Sequence, residues 1–223
     1  MKKKIALLAL LAIFAAIAAS STIAYFTSET TAHNVITSGG IDIEIVETMK
    51  LADGTVVDFP SEEFKEENKD NPENIPELPP VMPGTSMSKI VKVKNIQEQS
   101  WIRAWVNIGI SDETNQKNLL LQVPGADGNP VDVVSFELGE GWVQGEDYYY
   151  YYTEPVDTWV EGEEVGFTTP LFEKVDFAKE MGNEYQNCKV IIDVEAEAIQ
   201  TANNPMVNGE ITSVWPEYKE IIN

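Results

Sequence analysis

The chain has 223 residues, with 37 Asp or Glu against 15 Lys or Arg, and so carries a formal net charge of −22 at pH 7. That excess repels nucleic acid and anionic lipid surfaces, which excludes a DNA- or RNA-binding role. A single cysteine, Cys188, rules out an intramolecular disulfide, and a single histidine, His33, leaves little material for a nucleophilic triad or a zinc centre.

Lys2, Lys3 and Lys4 form a positive head, Ile5 to Ala19 is almost purely apolar, and small residues lead on to Thr22-Ile23-Ala24. A basic start, an apolar stretch and a small-residue exit predict a secretory signal peptide over residues 1–24. Thr22 and Ala24 then occupy −3 and −1 of a cleavage site before Tyr25, and Ala19 marks the alternative site. Cleavage removes three lysines and no acids, which moves the net charge from −22 to −25. The competing reading is a retained anchor, since Ile5 to Phe26 is just long enough to cross a hydrocarbon core of roughly 30 Å.

Residues 25–40 are polar and rich in Thr and Ser, and end in the turn signal Gly39-Gly40, so an extended N-terminal arm is predicted. Ile41, Ile43 and Ile45 alternate with Asp42 and Glu44, the period of a half-buried strand. Asp53-Gly54 marks a hairpin between Met49–Leu51 and Val56–Phe59. Residues 60–80 are acidic and interrupted by proline, with few large apolar side chains, and read as a solvated insertion. They lack the D-x-D-x-D-G spacing of a calcium loop.

After the Pro83-Gly84 turn, Val91 and Val93 alternate with Lys92 and Lys94. Trp101 to Ile110 is the cleanest strand: Ile102, Ala104, Val106, Ile108 and Ile110 form one face, and Trp101, Arg103, Trp105 and Asn107 the other. Two readings of the second face stand. Trp101 and Trp105 lie half-buried under a neighbouring loop, or Trp101, Arg103 and Trp105 form an exposed aromatic contact surface with Arg103 stacked between the rings.

Leu119–Val123 reads as a short apolar strand, followed by a dense turn over Gly125–Pro130 and further short strands at Val133–Leu138 and Gly141–Val143. Five consecutive tyrosines, Tyr148 to Tyr152, suit a strand with both faces occupied, with a sugar-binding stack as the alternative. A turn at Glu161-Gly162-Glu163 precedes a strand ending at Thr168–Phe172, which Val175 and Phe177 weakly extend. Val190, Ile192, Val194, Ala196 and Ala198 line one face of a long final strand opened by Cys188. The Cys188 thiol is either a small buried hydrophobe or a reactive group. A tail over 203–223 carries Ile211, Val214 and Trp215 and either docks back or frays. Many short strands at turn spacing and few helix signals predict an all-β, antiparallel β-sandwich over 41–202 with long loops.

Thr22-Ile23-Ala24-Tyr25-Phe26-Thr27 followed by Ile36-Thr37-Ser38-Gly39-Gly40-Ile41-Asp42-Ile43 resembles the leader of the TasA/camelysin family. The likeness continues at Pro83-Gly84 with Val91–Asn95, and at Asn183-Glu184-Tyr185-Gln186 with Val190–Gln200. The resemblance implies a Gram-positive secreted protein processed by a SipW-type signal peptidase, touching the membrane only transiently through its leader. It further implies a jelly-roll version of the sandwich and a structural role at the cell surface or in a biofilm matrix. Self-association into fibres, or association with a related matrix protein, then follows by strand donation. The candidate donor strand runs from about Tyr25 to Ile36, with Tyr25, Phe26, Val35 and Ile36 as its apolar anchors. Few other apolar residues lie in that arm, so packing on its own sandwich is the alternative.

The camelysin branch is labelled a metallopeptidase, yet the chain contains no H-E-x-x-H, and no G-x-S-x-G or Gly-rich phosphate loop either. No spacing singles out a glycosidase pair among the 37 acids. A non-enzyme is therefore expected, with no catalytic residue, metal ligand or cofactor. The alternative to a fibre subunit is a monomeric secreted binding module that recognises a glycan or host ligand through Trp101, Trp105, Trp142 and Tyr148–Tyr152.

Overall fold

The computed structural model describes residues 28–29, 33–34, 40–78, 82–112, 116–186 and 188–215. Two short segments of the N-terminal arm, β1 (Ser28–Glu29) and β2 (His33–Asn34), come first. They are followed by β3 (Ile43–Lys50), β4 (Val56–Asp58), β5 (Ser86–Asn95) and β6 (Ser100–Asp112). Short strands then dominate: β7 (Lys117–Asn118), β8 (Gln122–Pro124), β9 (Pro130–Asp132), β10 (Val134–Ser135), β11 (Trp142–Gln144) and β12 (Tyr150–Tyr152). The longer β13 (Phe172–Phe177) and β14 (Cys188–Gln200) close the series.

Two sheets face each other. In one, β14 and β6 run side by side at the centre, β12 and β11 extend the far side, β7 joins the end of β6, and β1 and β2 lie along β14. The other has the order β10-β13-β5-β3-β4, while β8 and β9 form a separate ribbon. Every described pairing is antiparallel except those of β1 and β2 with β14, which are parallel. The protein is thus predominantly β with antiparallel sheets, as the alternation of its longest strands predicts.

The period-2 faces explain the core. Ile102, Ala104 and Ile110 of β6, with Val190, Ile192, Val194 and Ala196 of β14, share one buried cluster with Ile43 and Ile45 of β3, Val91 and Val93 of β5, and Phe172 and Val175 of β13. A one-residue slip would turn each of these sets to the opposite face, so the apolar alternation fixes the register. One polar residue breaks the pattern. Lys89 shares the parity of Val91 and Val93 on β5 and is fully buried, its Nζ 2.8 Å from Glu47 Oε1 and 3.9 Å from the centre of the Phe59 ring.

Several expectations need correction. Within the acidic insertion Glu62–Glu67 forms a short helix (α1), whose first turn is capped by Ser61 Oγ accepting the Phe64 N–H at 3.1 Å. Leu119–Val123 is not one strand; Leu119–Leu121 bridges β7 and β8, and Leu120 stands out in solvent. Of the five tyrosines only Tyr150–Tyr152 are in a strand, since Tyr148 has a left-handed φ of 68° that breaks the extended run. The strand expected to end at Phe172 instead begins there. The preceding segment folds tightly at Gly166, φ +84°, where a Cβ would lie 2.2 Å from the Trp159 Cα.

Candidate interaction surfaces

Strand β14 pairs with β6 along its whole length, from Cys188 opposite Asp112 to Gln200 opposite Ser100. Its other edge would be a long unpaired template for another chain, and the protein's own arm covers part of it. Ser28 and Glu29 pair with Val190 and Ile191, and His33 and Asn34 with Glu195 and Ala196. Among the described residues, the arm's pairings with β14 are these two short parallel stretches. The expected cleavage residues Thr22, Ala24 and Tyr25, and the donor anchors Tyr25, Phe26, Val35 and Ile36, lie outside the described residues.

The triplet Trp101, Arg103 and Trp105 does not form an exposed surface. Trp101 is 7% exposed and Arg103 5%, while Trp105 is half-buried. The cause is the C-terminal tail, whose 3₁₀ turn at Ile211–Val214 and following Trp215 fold onto the outer face of β6 and β12. Trp101 Nε1 donates to the Asn204 carbonyl at 2.9 Å. The Arg103 guanidinium lies between the Tyr149 ring, 4.0 Å away, and the Trp215 ring, 4.1 Å away. Its Nε donates to Glu197 Oε2 at 2.7 Å.

The expected stack on the flanking tryptophans fails for a geometric reason. Same-face neighbours along a strand stand about 7 Å apart, too far to hold a guanidinium between rings at stacking distance. Rings from the residue just before β12 and from the tail do so. The sequence reading missed Tyr149 and Trp215 as partners; the only signal was an apolar tail ending in tryptophan.

Tyr151 lies under the same cover. Its Oη donates to Asp147 Oδ2 at 2.5 Å, and its ring meets Trp215 edge-on at 6.2 Å between centres. Burial first, and the Asp147 carboxylate second, hold the phenol well above its ordinary range, against an opposing pull from Arg103. Cys188 is fully buried, and burial with Asp112 and Glu184 nearby pushes its thiol up, so the structure places it as a small core residue. Among the described residues no three His, Cys, Asp or Glu side chains converge to hold a metal ion.

The aromatics of the binding-module reading divide in two. Trp101, Trp142, Tyr151 and Tyr152 are buried, Trp142 with its Nε1 donating to the Thr169 carbonyl at 3.1 Å. Trp105, Tyr148 and Tyr150, joined by Phe136, instead line a groove of about 720 Å³ beside β6. Its charged lining is limited to Asp132.

No protein-family model, curated protein or solved structure matches this chain.

Proposed function

We propose that the protein is a secreted structural component of a cell surface or biofilm matrix whose copies join through the N-terminal arm. The observation that supports this reading is the arm's position: two short parallel pairings on the edge of a strand of 13 residues. An arm whose described pairings are this short serves as a detachable edge strand in this reading. The same pairs formed between two copies would link them, with main-chain hydrogen bonds supplying the affinity. The leader over 1–24, cut before Tyr25 by a SipW-type signal peptidase, releases the arm from the membrane. We also propose jelly-roll connectivity, supported by the chain's changes of sheet between β5 and β6, β12 and β13, and β13 and β14.

Negative-stain microscopy of the chain starting at Tyr25, beside one lacking residues 25–40, tests the arm. The first is expected to form fibres or defined oligomers and the second to stay monomeric. If both assemble, or neither does under any condition, the arm is not the link. A monomeric binding module is the second reading, favoured by the placing of Trp105 and Tyr148 on one groove.

A further inference from the structure

Strand β6 has a gap along the edge that faces away from β14. On that side β12 pairs with Arg103 and Ala104, β7 pairs with Ser111 and Asp112, and the Ile110 carbonyl accepts the Leu119 N–H at 2.8 Å. Between them, among the described residues, no strand pairs with Trp105–Gly109 on this edge.

The direction of the main-chain groups follows from the bonds at either end. Ser100 exchanges both of its bonds with Val156, and Ile110 bonds to Leu119, so the even-numbered residues of β6 point their N–H and C=O groups to this side. Val106 and Ile108 therefore present donors and acceptors to the gap. The 720 Å³ groove lies alongside them, lined by Val134, Phe136 and Leu138 as well as by the aromatics. Leu121 and Tyr148, also in its lining, are 46% and 74% exposed.

We propose that this slot is a docking site for one extended strand of a separate polypeptide, apolar at alternate positions and neutral or basic overall. The main-chain groups of Val106 and Ile108 supply pairing over roughly five residues, at about 3.3 Å each. Apolar side chains on one face of the guest complete the partly open core at Val106, Ile108 and Phe136. Its opposite face meets Trp105, Asn107 and Tyr148. Two observations point away from a second copy. The arm from Tyr25 to Ile36 carries its large apolar side chains as two adjacent pairs, Tyr25-Phe26 and Val35-Ile36, and not at alternate positions. A chain of net charge −22 also repels its like, whereas Asp132 in the slot favours a positive guest. The slot and the arm lie on opposite edges of the β14–β6 pair, so the inference does not rest on arm-mediated assembly.

The test uses the intact protein and a labelled synthetic peptide, Lys-Thr-Val-Thr-Val-Thr-Val-Lys. Two further versions are N-methylated at all the valines or at all the threonines, and one carries Glu in place of both Lys residues. Binding is read by fluorescence anisotropy, and hydrogen exchange follows the Val106 and Ile108 amides. The parent peptide is expected to bind and to slow exchange at both amides by about tenfold or more. One N-methylated version should lose binding while the other retains it, because alternate residues of a strand face opposite edges. The Glu version should bind at least about threefold more weakly. Equal binding by both N-methylated peptides, or absence of protection at Val106 and Ile108, overturns the site. Equal binding of the Glu version overturns its charge preference. Protection that grows with protein concentration alone assigns the slot to a second copy, against the proposal. Quenching of Trp105 by a chitin tetrasaccharide without amide protection makes the groove a glycan site, also against it.

Discussion

Lys89 is a costly residue to place, because its ammonium is fully buried in the sheet core against the Phe59 ring. Burial drives its pKa below the ordinary lysine value, and the Glu47 carboxylate acts in the opposite sense. Breaking such a pair is worse than never having it, since the survivor is left charged without a partner in a dry site. Lys89→Met is expected to destabilise the fold by about 3–5 kcal/mol, and adding Glu47→Leu should recover most of that loss. Urea denaturation of the two single variants and the double variant gives the comparison; a double variant as weak as Lys89→Met would mean that packing, not charge, carries the cost. This residue was legible in part. Its parity with Val91 and Val93 places it on the inward face, but nothing local to the strand announces that Glu47 and Phe59 wait there.

Among the elements, the C-terminal tail does what a covering strand or helix does elsewhere. It converts the outer face of β6 from a row of aromatics into a second, smaller core made of Trp101, Tyr151, Ile211, Val214 and Trp215. Trp215→Ala should remove about 3–5 kcal/mol of stability, the range for emptying a large buried aromatic site. It should also let the Tyr151 phenol titrate nearer its ordinary value, since burial is the first cause of its shift. The sign follows from a phenol raised in the folded state. Its contribution to stability is complete below pH 10, the unfolded value, and declines as pH rises through the folded one. Thermal melts from pH 8 to 11 should show wild type losing stability above pH 10 and Trp215→Ala losing less; equal alkaline losses would separate the tail from the phenol. Strands β6 and β14 were readable because ten or more residues alternate without a break. The stretch from Leu119 to Leu171 was not. Its strands of two or three residues carry no period, and they owe their existence to partners such as Arg103 and Ala104 on β6. The Arg103 stack was hidden for the same reason: its rings come from β12's approach and from the tail.

For the molecule as a whole, charge sets the conditions under which copies meet. At −22, or −25 if the proposed leader with Lys2, Lys3 and Lys4 is removed, like-charged copies repel until salt shortens the reach of that field to about 10 Å at 0.1 M. Assembly through the arm should therefore increase with added salt, on acidification, or with divalent cations, followed by light scattering; scattering that falls as salt is added would contradict the electrostatic account. The antiparallel two-sheet character was legible from alternation alone, whereas the arm's parallel pairing was not, since residues 25–34 offer no apolar period to set a register. The long β6–β14 ladder also governs time. Ser100 waits for Gln200, and Asp112 for Cys188, so neither central strand has its full partner until the last part of the chain has emerged. Contacts so distant in sequence make loop closure slow and the folding step late. A chain that cannot close early stays threadable, a property that would suit the export proposed above, with folding left to begin on the far side.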